Sequence, residues 1–401
     1  MAKVLIIATR SNTIGASATQ YDSPLDCSRI SATTESQAHV TMRTAGTFSG
    51  LFCNISTNNR GTSTLRFRVN SANGNQVVTI TASTTGQFED TTNSDTVAAG
   101  DEVNNQIVTG SGGSTFTLLT CAYVFSATSG TTKKMGTAVL GAVSTASTSF
   151  YCGLGGFVST TSEAQTQLKL KTSGTFANLF ANIVTNGRST TSTLRFRKNT
   201  ADGNQVISVT AGSTGLFEDT SNTDTVAVDD LVNLVIVLGT GTGNLLLHAF
   251  ASELTATNTF HLVAGNNSGI ALLAAATDAY PAAGRLEATM AETNYRCDAQ
   301  FPFTLSKLSC YVTANTIVED SLLRCRVNGG NGNQVATVTG LTTGLFEDTT
   351  NSDILVATDE INLRCVAGAT GTSLTFTLMS MLGTVTSTRH LLALMGCGPF
   401  S

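Results

Sequence analysis

The sequence predicts an all-β protein built from three tandem β-sandwich domains, and three observations carry that reading. The first is internal repetition. Leu65-Arg66-Phe67-Arg68-Val69-Asn70 returns as Leu194-Arg195-Phe196-Arg197-Lys198-Asn199 and again as Leu323-Arg324-Cys325-Arg326-Val327-Asn328. Gly86-Gln87-Phe88-Glu89-Asp90-Thr91 likewise returns as Gly215-Leu216-Phe217-Glu218-Asp219-Thr220 and Gly344-Leu345-Phe346-Glu347-Asp348-Thr349. Both motifs keep one constant interval, from Leu65 to Leu194 to Leu323 and from Phe88 to Phe217 to Phe346, so three units account for nearly the whole chain. The second observation is the period-two alternation of apolar and polar residues, the mark of half-buried strands. The third is the regular recurrence of turn residues with no helical apolar stripe of useful length.

The interval decides the kind of repeat. Solenoid units run to about 20–50 residues and cannot stand alone, whereas a unit of roughly 130 residues is the size of a domain with its own core. The expected domains are residues 1–131, 132–260 and 261–389. Residues 390–401 then resemble the first strand of a further copy, because His390-Leu391-Leu392-Ala393-Leu394-Met395 follows His261-Leu262-Val263-Ala264-Gly265 by the same step. Such a strand is expected to add to a sheet edge, in this chain or a neighbour, since an uncovered apolar edge invites aggregation.

The elements of one copy follow in order. Ala2 to Arg10 reads as a strand; its apolar run is too short for a signal-peptide core, so synthesis in a cytoplasm is expected. Leu65 to Val69 alternates, with Arg66 and Arg68 on the outward face. Asn73-Gly74-Asn75 is a hairpin-turn signal, and Gln76 to Thr81 is a β-branched strand. Asp90 to Asp95 reads as a polar loop. Val97-Ala98-Ala99-Gly100-Asp101 turns into a strand from Glu102 to Val108. Gly110-Ser111-Gly112-Gly113 is another turn, and Phe116 opens a long last strand to Phe125. Ala271 to Ala276 has the composition for a single helical turn.

Composition excludes several classes. Charged residues are 12% against a usual ~25%, net charge is −5, and no Lys/Arg run exists, which argues against nucleic-acid binding. No apolar stretch reaches the ~18 residues that span a bilayer, so no membrane partner is expected. Of the nine cysteines, several stand where other copies carry apolar residues: Cys325 against Phe67 and Phe196, Cys365 against Ile107 and Ile236, Cys121 against Phe250 and Met379. With one residue of slippage, Cys53 matches Ala181 and Cys310. They are expected to be free, buried thiols, and no CxxC pair marks a zinc site.

The run Thr64 to Asn70, then Asp90-Thr91-Thr92-Asn93, then Val97 to Val103, resembles a module of phage structural proteins similar to the jelly roll of tumour necrosis factor-like trimers. Asp219 to Asn222 and Asp348 to Asn351 repeat the second motif. Asp229 and Thr358 depart from Gly100 at the turn, while Asp101, Asp230 and Asp359 persist. The resemblance implies virion assemblies with jelly rolls packed about a threefold axis, here as a pseudo-trimer within one chain.

Candidate sites are few. Carboxylates at Glu89, Asp90, Asp95 and Asp101, with Glu218, Asp219, Asp224, Asp230 and Glu347, Asp348, Asp353, Asp359, have the oxygen chemistry that calcium takes, but lack DxDxDG spacing and suit strand-ending turns better. Arg66 and Arg68 are expected to pair with Glu89 and Asp90 or with a partner protein. Gly110 to Gly113 and Gly239-Thr240-Gly241-Thr242-Gly243 lack the Lys-Ser/Thr and the helix of a phosphate loop and read as turns. His39, His248, His261 and His390 occupy no metal motif, and GxSxG is absent. The expectation is therefore no catalytic residues, no cofactor site and no metal site. The expected role is that of a structural protein of the bacteriophage virion, a capsid decoration or cement protein at threefold or quasi-threefold positions. Its partners would be the major capsid protein or other virion proteins, with self-association through the C-terminal strand. The alternative is a receptor- or glycan-binding tail fibre, tip module or adhesin. The absence of Trp and six Tyr that do not recur by copy weigh against it.

Overall fold

A computed structural model describes residues 2–14, 18–24, 33–113, 115–128, 132–137, 142–143, 149–155, 159–286, 288, 291–299, 301–385 and 395–396. Among them every regular element of more than four residues is a β-strand, and the helical turns are the short 3-10 segments Glu35–Ala38, Glu163–Gln165 and Glu292–Asn294. The protein is all-β, built of predominantly antiparallel sheets.

The strands of residues 2–128 form two sheets. One runs in the order Ala2–Thr13, Phe116–Ala127, Gly46–Asn58, Gly86–Val97. The other runs Thr19–Asp22, Glu102–Val108, Ser63–Val69, Ala72–Ile80, with Val40–Thr41 also beside Glu102–Val108. The order recurs in the second block as Thr132–Thr137, Leu245–Thr255, Gly174–Asn186, Gly215–Val226 and as Ser149–Cys152, Leu231–Val237, Ser192–Lys198, Ala201–Val209. It recurs in the third from Thr259–Leu273 and from Thr277–Tyr280. Two sheets face each other over each core, an arrangement consistent with jelly-roll sandwiches.

The cores are aromatic where the repeats agree. Phe48 meets Phe67 at 4.5 Å between ring centroids and Phe125 at 4.7 Å. Phe176 meets Phe196 at 4.6 Å. Such tilted pairs add about 0.5–1.5 kcal/mol beyond area burial. In the third block Leu305 and Cys325 replace that pair, both fully buried. The strand registers confirm the cysteine alignment: Cys53 opposes Cys121, Ala181 opposes Phe250, and Cys310 opposes Met379. The seven described cysteines are free and buried, and burial pushes the thiols of Cys53, Cys310, Cys325 and Cys365 up from their ordinary range. Cys27 and Cys397 lie outside the described residues.

Several expectations change. The hairpin turn is Asn70-Ser71, with φ of 50° and 61°, between Ser63–Val69 and Ala72–Ile80. Both central residues are left-handed, the geometry that matches strand twist. Asn73-Gly74-Asn75 lies inside the following strand. Its glycine is needed for another reason: a Cβ at Gly74 would stand 2.8 Å from Asp95 Oδ1. Asp90 to Asp95 is not a loop in the first two blocks but part of the strands Gly86–Val97 and Gly215–Val226, which themselves carry the extra residues where the register with Gly46–Asn58 and Gly174–Asn186 shifts. Only in the third block does it interrupt the strand, between Gly344–Glu347 and Ser352–Leu355. Ala271 lies in a strand that runs to Leu273 and a tight turn follows, so no helical turn forms there.

The tyrosine expectation also changes. Tyr21 opposes Gln106 and Tyr151 opposes Val235, which hold the same place in successive copies. These two tyrosines are therefore register equivalents. Tyr280 opposes Leu363 instead, one residue along, and a one-residue step moves a side chain to the other face. Its ring is fully buried, and burial foremost pushes its hydroxyl well up from the ordinary range. Cys365 is smaller than the Ile107 and Ile236 it replaces, which leaves room for the ring.

Met395–Gly396 adds in parallel to Ala2–Thr13, opposite Ile7 and Ala8. The expected edge addition of residues 390–401 is met at these two positions; the others lie outside the described residues. In the third block Gly284–Arg285 takes the corresponding place beside Ala264 and Gly265.

Candidate functional site

Of the carboxylates singled out in the sequence, Glu89, Asp90 and Asp95 lie on the strand Gly86–Val97 and Asp101 at the turn after it, and the aspartates serve the backbone. Asp90 Oδ2 accepts from Val77 N at 2.9 Å, and Asp90 Oδ1 accepts from Asn93 N at 3.0 Å and Thr92 N at 3.2 Å. Thr92 and Asn93 lie where the register shift breaks the ladder, and Val77 N comes from the strand Ala72–Ile80. Burial acts to raise the Asp90 pKa, but the bonds from Asn93, Val77 and Thr92 outweigh it and hold the group down to about 2. Asp219 and Asp348 repeat the arrangement and are likewise held low. Asp95 accepts from Asn75 N at 2.5 Å and from Gln76 N and Nε2 at 3.1 Å each. Asp224 and Asp353 match it. Asp101 caps the next turn, accepting from Ala98 N at 2.7 Å and Asn70 Nδ2 at 2.8 Å. The carboxylates thus hold turns and bulges in place.

The arginine expectation is corrected. Arg68 is buried and pairs not with Glu89 or Asp90 but with Glu35 in a two-pronged contact, Nε to Oε1 at 2.5 Å and Nη2 to Oε2 at 3.0 Å. Arg197 binds Glu163 at 2.6 and 3.1 Å, and Arg326 binds Glu292 at 2.9 and 3.1 Å. Tyr21 and Tyr151 lie under Arg68 and Arg197 at 5.8 and 5.5 Å, within cation–π range. This pairing pins each 3-10 turn to the sheet behind it. Arg66 Nη1 donates to Gly74 O at 3.1 Å. The signal for the glutamates was their own spacing, since Glu35, Glu163 and Glu292 recur at almost the same interval as the longer motifs.

The glycine runs are turns, clasped from below by buried arginines: Arg60 Nη1 donates to Gly112 O and Arg188 Nη1 to Gly241 O, each at 2.8 Å. His39 Nδ1 lies 2.7 Å from Glu102, and His261 Nε2 accepts from Lys171 N at 3.1 Å. His390 lies outside the described residues.

Sequence reading missed the seams between blocks. The 3-10 turn and the strand beside it in one block face the strand pair around Glu89, Glu218 or Glu347 in the next. Between the first and second blocks Arg43 pairs with Glu218. Between the second and third, Lys169 Nζ lies 3.0 Å from Glu347, and Lys171 pairs with the same carboxylate. Between the third and first, Asn54 Nδ2 donates to Thr293 O and Asn294 O at 3.1 Å, and Gln87 Nε2 to Glu360 Oε1 at 3.3 Å. The blocks therefore meet in cyclic order, one to two, two to three and three to one. Equivalent clefts open along two seams. One, of 380 Å³, lies among Ser36, His39, Glu102, Asn182, Gly215 and Leu216. The other, of 360 Å³, lies among Asn54, Gly86, Gln87, Thr293, Asn294 and Glu360. The Glu347 bond foremost raises the Lys169 pKa, while Glu347 is held low by Lys171 and Lys169 against the effect of burial.

Fold and seams together define an all-β protein whose repeated sandwiches close on one another. No protein-family model matches the chain, and no curated protein matches it.

Proposed function

We propose that the chain is a non-enzymatic structural protein of a bacteriophage virion, a decoration or cement protein seated at threefold or quasi-threefold positions of the capsid. The observation that carries this reading is the cyclic contact of the three blocks through non-identical seams. A single chain so arranged offers a pseudo-threefold body with no entropic cost of gathering free subunits. The repeated polar residues are engaged inside the molecule, which leaves outward faces rich in Thr and Ser with little charge to desolvate against a protein lattice. The faces have also diverged. Exposed Ile354 and Val356 stand where the first two blocks carry Thr96 and Ala98, or Thr225 and Ala227. Such divergence lets one molecule meet three unlike neighbours. The major capsid protein is the proposed partner, and the strand at Met395–Gly396 is the proposed route of self-association.

Two measurements test this. Small-angle scattering should give a radius of gyration of about 21 Å, the value for a compact chain of this length, and an extended three-bead profile would reject the closed body. Mixing the chain with purified shells of its source particle should decorate threefold positions in electron micrographs. Absence of decoration together with binding to immobilised glycans would reject the cement role in favour of an adhesin.

A further inference from the structure

The three seams are built alike but charged differently. Thr41, Lys169 and Asp298 are register equivalents, opposite Glu102, Leu231 and Glu360, which hold the same place in the three copies. Glu89, Glu218 and Glu347 are equivalents in the facing strands, opposite Phe52, Phe180 and Ser309. Glu218 and Glu347 each meet cations across their seam, from Arg43 and from Lys169 and Lys171. Glu89 meets Asp298, and the two line one 280 Å³ cleft with Ser49, Thr91, Val124 and Thr358.

We propose that the seam between the third and first blocks is an acid-stabilised closure of the ring, which tightens when Asp298 is protonated and loosens, at that seam alone, when Asp298 and Glu89 are both ionised. The charged surroundings are these. Glu89 faces Asp298 from Gly86–Val97, and Glu360 flanks it as its strand partner. Arg296, the cation near it, is engaged by Glu360 at 2.9 Å. Asp359 is taken up by Asn328 Nδ2 and Val356 N. Gly46–Asn58 and Phe116–Ala127 contribute the uncharged Ser49, Gly50 and Val124 to the cleft.

The sign follows from linkage. Burial first, then Glu89 and Glu360, raise the Asp298 carboxyl to about 6 from 3.8. The closed seam therefore binds this proton more tightly than an open one, in which the group returns to its ordinary value. Closure is fully favoured below pH 3.8, weakens as pH rises from 3.8 to about 6, and stays weakened above. At the second seam Lys171 and Lys169 hold the Glu347 carboxyl low, so that seam keeps this charge through the window and serves as the internal control.

Hydrogen–deuterium exchange on the full chain at pH 4.5 and 7.5, corrected for intrinsic rates, tests the proposal. Amides of residues 86–91 and 293–299 should lose protection by about tenfold at the higher pH, the scale of roughly one unit of linkage. Residues 344–349 should hold theirs. Asp298→Asn should remove the pH response and keep the protected state. Asp298→Lys, which imitates Lys169, should protect the seam at pH 7.5. Glu89→Gln probes the same seam from the first block and should shrink the response. Equal loss at all three seams, no loss at any, or an unchanged response in both Asp298→Asn and Glu89→Gln overturns the proposal.

Discussion

Replacing Asp348 by Asn changes one oxygen for an amide in a site of known geometry. Asp348 Oδ2 accepts from Val335 N at 2.8 Å and Asn351 Nδ2 at 3.0 Å, and Oδ1 accepts from Thr350 N and Asn351 N at 3.0 Å each. An Asn there keeps one acceptor and turns a donor onto N–H groups, whichever way its amide is set. Two bonds to a charged acceptor are lost, and each is worth about 1.5–3 kcal/mol, with part recovered from water because the loop is at the surface. The expected cost is about 2–4 kcal/mol. If the whole chain unfolds as one unit, an unfolding entropy of about 2.1 cal/mol/K per residue makes this a fall in Tm of roughly 2–5 °C; a third block that unfolds alone falls roughly three times as far. Calorimetry and urea titration of Asp348→Asn read both. The pH dependence gives a second check. A carboxylate held low in the fold contributes stability that is complete above the ordinary carboxylate range and lost as pH falls through its folded value. For Asp90, that loss lies between 3.8 and about 2. The variant should show a flatter acid limb than the parent. A cost below about 0.5 kcal/mol, the range of an ordinary surface substitution, with an unchanged acid limb would refute the account of these carboxylates as backbone acceptors.

Three further outcomes are expected. Thiol reagents at pH 8 should leave Cys53, Cys121, Cys152, Cys297, Cys310, Cys325 and Cys365 unmodified in the native protein and label all nine thiols after denaturation without reductant; mass spectrometry that finds disulfides among the seven defeats this. Thr358 has φ of 83° where Gly100 has 98°, so Thr358→Gly should stabilise the third block by about 0.5–1 kcal/mol and Gly100→Thr should cost the first at least as much, measured by urea titration. Deleting residues 390–401 uncovers the backbone edge of Ala2–Thr13 and should raise aggregation in light scattering, and a truncated chain that stays as soluble as the parent removes the capping role.

The sequence by itself determined the triplication and the strand-rich class, because repetition and period-two alternation are properties of neighbours along the chain. It also pointed to the buried thiols of Cys53, Cys121, Cys310, Cys325 and Cys365, which stand in columns of largely apolar residues. Where the residue type was informative but its partner was not, the reading went astray. Gly74 was visible as a required glycine, yet the requirement is the approach of Asp95 from another strand. Arg68 was visible as a strand residue, yet its partner is Glu35, fixed by the return of a 3-10 turn over the sheet. The tyrosine equivalence was hidden by a one-residue offset that only strand pairing resolves. Only the tertiary structure decided the seams. Arg43, Lys169, Lys171 and Asp298 sit in weakly repeating stretches, and nothing local tells a carboxylate whether it will face a lysine or another carboxylate. That depends on which block lies next to which, so the deciding partners are neighbours in space that stand far apart along the chain.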